Sequence, residues 1–562
     1  MIDFLGSVLD YGQLFLAANF SAIAIVVLAD WLAVRRRGVL GRRALRGLLH
    51  LAHRPTWQGA LIAALVSLGA SLTVFAVRGE SLPNEFDEQG HILLGETLLQ
   101  GRFANPAHPF WVHFETFSEV VQPRYVSFYS PANGAIIALG DLALGVRTAG
   151  FWLVGAAAAA ATVWAARAWL TPAWSLVAGL LAALHPTFSF WNNTYHGGGV
   201  AALAAALLLG ATARLCRRPT TGMLAVAAVA IVLLANSRPY EGLVLIAACS
   251  IFILQTNARA VPAMLRRIAA PLVILAAGAL FVGTYNRSVT GSPFTLPHSL
   301  FDRQYNPAPH FLWQVLWQEP KPALVYRHPE IWREYGFYYA RHYTRIRQSG
   351  GLARLMRDKV QDVFHAGAPK PTVRRSVVGS GYLLMLLPFV LLPISLRRRR
   401  TRRLALLVSI SMMSGFITTW AVLPQYLGPS AIPVVVLYTL LLRELAARWP
   451  RRGAMLAVAV IVFGLALGVN EVIARARQPQ PRIESERRSI VTRLQTIPGD
   501  DLIFVPPEVK YCVFNSADID GSPVVWAREV DPRSDAALRR YYAGRKVWRL
   551  SQSTGHLTVT PF

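Results

Sequence analysis

The chain has 562 residues, of which 54% are hydrophobic and only 15% charged, and its mean hydropathy is +0.37. Soluble domains carry about 25% charged residues, so this composition excludes a string of soluble domains and indicates a polytopic membrane protein. The formal charge of +27 does not point to nucleic acid, because the basic residues, nearly all Arg, sit in short clusters between apolar runs; that is the positive-inside distribution, not a binding stripe.

Apolar runs of roughly 16–23 residues, close to the length that crosses a bilayer, fall at 12–34, 58–77, 147–168, 174–190, 198–215, 221–236, 240–256 and 269–286, and then at 379–396, 403–423, 429–447 and 453–473. Asp3 and Asp10 precede the first run and no basic region does, so 12–34 is expected as a retained span and not a cleaved signal. The run 131–145 is too short to cross and is expected as a half-helix dipping into the membrane. Arg clusters at 35–46, 214–218, 259–267, 397–403 and 448–452 fall on one face, the cytoplasmic one, if twelve spans alternate. Both termini and the segments 78–130, 287–378 and 474–562 then share the outer side.

The tail offers a helical run Glu484–Leu494, strand-like runs Leu502–Val505, Val524–Trp526, Val547–Leu550 and Leu557–Thr560, and a second helical run Asp535–Tyr542. That order suggests a small α/β module, expected to be accessory and not the catalytic centre. The chain therefore divides into an extra span with a basic cytoplasmic loop (1–57), a transmembrane domain (58–473) and an outer module (474–562). Cys216, Cys249 and Cys512 lie in very different surroundings, which excludes a disulfide framework.

The informative stretch is the first outer loop, SLPNEFDEQGHILLGETLLQGRFANPAHPFWVHFETF. A helix from Asp87 would put Gly90, His91, Leu94 and Leu98 on one face, as an amphipathic helix at the membrane interface. Asp87 and Glu88 occupy its first turn, where the helix dipole favours carboxylates, so a helix cap and a catalytic pair are both compatible with them. His108, Trp111 and His113 fit no strong zinc spacing and suit interfacial anchoring. Arg238 stands at the outer mouth between two spans, where it can snorkel or hold a phosphate. Glu241 can pair with it or start the next helix. Arg124 and Arg287 are the other outer cations. His196 precedes three glycines that allow either a close ligand or tight packing, and Tyr426 can belong to the aromatic belt.

The acidic pair, GRFANPAHPFWVHFET, YSPANG (129–134), WNNTYHGGG (191–199), ANSRPYEG (235–242), TGSPFTLP (290–297), PQY (424–426) and VVWAREV (524–530) together resemble the polytopic bacterial glycosyltransferases of the GT-C superfamily. That group includes the lipid A aminoarabinose transferases and protein O-mannosyltransferases. The resemblance implies an all-α bundle of about twelve spans plus interfacial helices in the bacterial inner membrane, with the active site facing the periplasm. It implies a polyprenyl-phosphate-linked sugar donor and a glycan, lipid or protein acceptor, with membrane lipids as surroundings and no nucleic acid. By the same resemblance Asp87 is the general base and Glu88 orients it or binds a metal. Arg238, with Arg124 or Arg287, holds the lipid phosphate, and Tyr129, Glu241, His196 and Tyr426 line the substrate. No cofactor is required; a divalent metal, on Asp87 and Glu88, is left open.

Three departures stand out. Phe128-Tyr129-Ser130-Pro131 replaces a related K-Y-P-P pattern, so a phosphate-binding Lys is missing. WNNTYHGGG lacks a second acidic residue, and Gln425 replaces the His of an H-Y pair. A non-catalytic scaffold of the same fold therefore remains an alternative, as does a transporter or lipid flippase, although the spans show no inverted repeat.

Overall fold

The computed structural model describes residues 55–306, 309–317, 326–333, 343–348, 350–365, 387–419, 422–450, 452–509, 512–553 and 556–562. The expected span 12–34, nearly all of the unit 1–57 and the first half of the expected span 379–396 lie outside the described residues.

The helices are α1 (Thr56–Arg78), α2 (Phe86–Leu99), α3 (Ala132–Leu144), α4 (Ala149–Ala166), α5 (Pro172–Ala183), α6 (Pro186–Asn192), α7 (Gly199–Leu215) and α8 (Thr221–Ser237). They continue with α9 (Pro239–Asn257), α10 (Ala269–Thr290), α11 (Pro297–Gln304), α12 (Arg399–Ile417), α13 (Gly428–Arg448), α14 (Arg452–Arg477), α15 (Arg482–Leu494) and α16 (Pro532–Tyr541). The helix Gly351–His365 and several shorter helices also lie among the described residues. Pro opens α5, α6, α9 and α11, where its missing N–H has no intrahelical partner to lose.

Six helical stretches among the described residues are long and apolar enough to cross a membrane, or seven if α5 and α6, bent by 55°, form one span. The helices α3, α7 and α8 are apolar but shorter, so the described residues do not by this criterion confirm the expected number of twelve. The interior is built on small side chains, with Ala158, Ala161, Ala201, Ala202, Ala204 and Ala205 in one buried cluster. That is how helices approach closely without a hydrophobic drive between them. All three cysteines are buried.

At one end of the bundle, Arg214 donates to the Trp164 carbonyl, Arg217 to the Ala168 carbonyl, and Arg398 pairs with Glu444 at 2.9 Å. At the other end lie the loop segments and the tail. The strands β1 (Asn105–Pro106), β2 (Glu119–Val120) and β3 (Arg124–Ser127) form a small antiparallel sheet in the order β1-β3-β2. The tail strands β4 (Asp501–Val505), β5 (Val524–Arg528), β6 (Lys546–Ser553) and β7 (His556–Pro561) run in the order β5-β4-β6-β7. There β4 is parallel to both neighbours and β7 antiparallel to β6.

Two expectations are corrected here. The helix α2 is not a one-sided interfacial helix. Leu93 packs with Phe114 and Tyr125 into the tail's core beside Phe504 and Val525, Leu94 packs with Phe117 and Tyr285, and Ile92 packs with Ile137 and Phe151. Apolar side chains point in three directions because the helix is enclosed between bundle, loop and tail. The His and aromatic run beyond it also faces protein. His108 Nε2 lies 3.1 Å from Asp520 Oδ1, and His113 Nδ1 lies 2.8 Å from the Arg528 carbonyl, so these residues dock the tail instead of anchoring a headgroup layer.

Candidate functional site

The start of α2 separates the acidic pair into two different environments. Its N-cap position, Glu85, makes no side-chain capping bond. Glu88 ties the turn instead, Oε2 accepting the Asn84 N–H at 2.8 Å and Oε1 the Tyr195 N–H at 2.8 Å. The side chain is buried, with His196 Nε2 at 3.7 Å from Oε2. Carboxylates that accept backbone N–H groups at a helix start are stabilised there, so the cap alternative fits Glu88, which fastens α2 to the segment after α6.

Asp87 is turned elsewhere. Its Oδ1 accepts the Ser118 hydroxyl at 2.8 Å, and the Tyr129 hydroxyl lies near the same carboxylate. Burial and then the neighbouring Asp87 push the Tyr129 phenol well above its usual range, so it remains a hydrogen-bond donor. Ser118 has φ 62, a left-handed value uncommon outside glycine and of the kind that collects at functional sites. Gly90 is required beside it, because a Cβ there would lie 2.8 Å from the Ser118 carbonyl oxygen.

The Tyr129 ring stacks on His91 with centroids 4.0 Å apart. Burial, then Arg238 and His196, hold the His91 imidazole well below the usual histidine range. His91 is therefore neutral at pH 7. Neither its Nδ1 nor the Nδ1 of His196 has a hydrogen-bond partner among the described residues. Such buried polar atoms are costly, and a polar ligand would satisfy them.

Arg238 closes the opposite side, in the break between α8 and α9. Its guanidinium lies 5.1 Å from the centroid of the Tyr426 ring. It is within electrostatic reach of His91, Tyr129, Glu241 and His298, and Tyr426 in turn faces Asp87 and Glu241. Asp87, Glu88, Tyr129, His196, Arg238, Glu241 and Tyr426 are thus brought together. Arg124, on β3, and Arg287, in the last turn of α10, are exposed and stand outside this group. The glycines after His196 serve packing: Gly197 and Gly198 have φ 73 and 105, and a Cβ would meet Asn133 at 2.0 Å and the Trp191 ring at 2.4 Å.

Phe128, at the position of the related Lys, is buried and stacks on Phe301 with centroids 4.4 Å apart, its edge meeting His298 at 5.0 Å. Among the described residues Asp87 and Glu88 gain no third ligand for a metal; the group that clusters is His298, Asp302 and His310. Sequence reading missed that group, and His91 and Ser118 with it. The spacing of His298 and Asp302, four residues apart, was a usable signal, since it puts both on one helix face. A cavity of about 170 Å³ lies on the far side of α11, lined by Trp111, Glu115, Gln304, Tyr305, Tyr326 and Arg327. Arg327 sits 4.5 Å from the centroid of the Trp111 ring.

No protein-family model matches the chain, and no curated protein matches it. Among solved structures, the Archaeoglobus fulgidus oligosaccharyltransferase in complex with Zn and sulfate is similar at 12% identity and a TM-score of 0.48, over 79% of this chain and 60% of that one. The chain thus spans about 60% of the length of that enzyme. Archaeal oligosaccharyltransferase AglB from Archaeoglobus fulgidus in complex with an inhibitory peptide and a dolichol-phosphate is similar at 12% identity and a TM-score of 0.40, over 80% of this chain and 62% of that one. ArnT from Cupriavidus metallidurans in the apo state is similar at 13% identity and a TM-score of 0.48, over 87% of this chain and 92% of that one.

Proposed function

We propose that the protein is an integral membrane glycosyltransferase that moves a sugar from a polyprenyl-phosphate-linked donor to an acceptor hydroxyl on the periplasmic face of a bacterial inner membrane. The observation that supports this reading is the placing of Asp87, whose Oδ1 accepts the Ser118 hydroxyl, and of Arg238 within electrostatic reach of the same two phenols, Tyr129 and Tyr426. Asp87 takes the proton of the acceptor hydroxyl as its oxygen bonds to the anomeric carbon. The sugar–phosphate C–O bond breaks, its electron pair stays on the phosphate, and Arg238 meets that charge with charge-assisted hydrogen bonds. The exposed Leu272, Val273 and Leu280 on α10 give the lipid tail an apolar flank, because Tyr285 of the same helix reaches the Tyr129 carbonyl at 2.8 Å. The acceptor enters through the cavity behind α11, whose Trp111 and Glu115 suit a polyhydroxylated molecule.

Arg238→Ala is expected to raise the donor concentration needed for half-maximal transfer by about 10–100-fold, the cost of a lost hydrogen bond to a charged group. Turnover at saturating donor should change far less. Phe128→Lys puts an ammonium back beside His298 and should partly restore donor binding in Arg238→Ala. An unchanged donor requirement in Arg238→Ala would remove the phosphate role from this residue. A second reading, a non-catalytic scaffold, is favoured by the burial of Phe128 among aromatic rings where a Lys is missing. It predicts no transfer with any polyprenyl-phosphate sugar.

The orientation has its own test. The native cysteines are buried, so single cysteines placed at the exposed Phe294, Ser551 and Arg398 give a low background. An impermeant maleimide on intact cells should label Phe294→Cys and Ser551→Cys and spare Arg398→Cys until the inner membrane is opened. Labelling of Arg398→Cys in intact cells would reverse the topology and, with it, the periplasmic site.

A further inference from the structure

We propose that His298, Asp302 and His310 form a binding site for one divalent transition-metal ion of the zinc class, beside Arg238, with a coordination position left open for a phosphate oxygen. Metal binding stands on the geometry alone; the identity of the open-position ligand rests on the glycosyltransferase reading.

The helix α11 sets two of the ligands one turn apart on the same face, and the chain returns eight residues later to bring His310 against them. His298 Nδ1 lies 3.0 Å and His310 Nε2 lies 2.7 Å from the same oxygen, Asp302 Oδ2. The three ligand atoms all lie within 4.8 Å of one another. Around a tetrahedral zinc with bonds of about 2.0–2.1 Å, neighbouring ligand atoms stand roughly 3.3 Å apart. The two short edges, 3.0 and 2.7 Å, therefore open by roughly 0.3 and 0.6 Å to reach tetrahedral spacing, shifts of the size that side-chain torsions supply. Two His and one carboxylate, leaving a fourth position free, is the donor set of an open zinc site.

The surroundings support the ligands as such sites require. Asn306 Nδ2 donates to the other oxygen, Asp302 Oδ1, at 3.1 Å, which leaves Oδ2 as the single coordinating atom. The His310 carbonyl accepts the Thr419 N–H at 2.7 Å and the Pro309 carbonyl accepts the Thr419 hydroxyl at 2.6 Å, so the return segment is pinned to the bundle beside α12. On the pocket side, His298 touches the Phe128 ring and lies within electrostatic reach of Arg238 and Glu241. An ion here brings positive charge to the place where Phe128 supplies none.

The test uses untagged full-length protein in nanodiscs, stripped with chelator and titrated with Zn²⁺ by calorimetry, with metal counted after gel filtration. Wild type should retain one zinc per chain. His298→Ala and His310→Ala should each weaken binding by well over tenfold, and Asn306→Ala by about 10–100-fold, as for outer-shell partners. His556→Ala, an exposed histidine in the tail, should bind as wild type. Cobalt substituted for zinc should give the intense visible bands of a four-coordinate ion, and those bands should shift on adding a short-chain prenyl phosphate more than on adding inorganic phosphate. Absence of stoichiometric zinc, or zinc retained by His298→Ala/His310→Ala, would overturn the site and leave a hydrogen-bonded His–Asp–His cluster. Cobalt bands indifferent to both phosphates would overturn the open position. A protein that binds zinc in this way yet transfers no sugar would sink the glycosyltransferase reading and not the metal site.

Discussion

Asp87→Asn is expected to lower sugar transfer by about 10²–10⁴, the usual contribution of a positioned base, while leaving donor affinity unchanged. The substitution is nearly isosteric. The amide oxygen, placed where Oδ1 stands, still accepts the Ser118 hydroxyl, so the residue stays anchored and loses its proton acceptor. Turnover at saturating donor, measured beside equilibrium binding of a prenyl phosphate, separates these two effects. Glu88→Gln should behave differently in kind. Both Glu88 oxygens accept backbone N–H groups, and an amide NH₂ would set donor against donor in a buried place, so that variant should lose folded protein, not turnover per folded molecule. Full activity in Asp87→Asn would make Asp87 a structural residue and leave the scaffold as the better account of the chain.

Much of the architecture was legible in the sequence, because apolar length and periodicity are local properties. The tail's strands and helices fall within a few residues of their expected limits, since short apolar runs bounded by Pro, Gly and Asp mark buried strands locally. Most of the residues singled out around Asp87 do meet. Local pattern could not separate Asp87 from Glu88, because both sit in a first turn and only the sequence-distant partners Ser118 and Tyr195 tell them apart. The enclosure of α2 was hidden for the same reason. Its Gly90, His91, Leu94 and Leu98 share one face and so read as amphipathic, while the burial of the consecutive Ile92, Leu93 and Leu94 comes only from bundle, tail and loop on three sides of it. The metal-ligating group needs the return of His310 onto α11, which no spacing rule supplies.

Arg528→Met should destabilise the protein by about 3–5 kcal/mol, the cost of removing one partner from a buried ion pair. Arg528 ends β5 of the tail and is buried against two loop segments: Nε donates to the Glu115 carbonyl and Nη1 pairs with Glu330. Glu115 in turn accepts the Tyr305 hydroxyl at 2.9 Å and lies 3.2 Å from His328 Nε2, so one guanidinium joins three segments remote in sequence. Met fills much of the volume but strands the Glu330 charge. The paired variant Arg528→Met/Glu330→Leu removes both charges and should recover most of the loss, because apolar replacement of a buried pair is often close to neutral. Thermal unfolding in nanodiscs, followed by tryptophan fluorescence, reads both. The consequence reaches the site, since Leu93 of α2 shares its core with Phe504 and Val525 of the tail. A tail that undocks leaves the helix bearing Asp87 without one of its three walls. Deleting residues 480–562 is therefore expected to cost folded protein as well as acceptor use. If Arg528→Met melts as wild type does, the joint carries little of the stability and the tail is an appendage. If the paired variant regains its melting point but not its turnover, Arg528 acts on the acceptor cavity beside Glu115 and Arg327, and the tail belongs to substrate selection as well as to the fold.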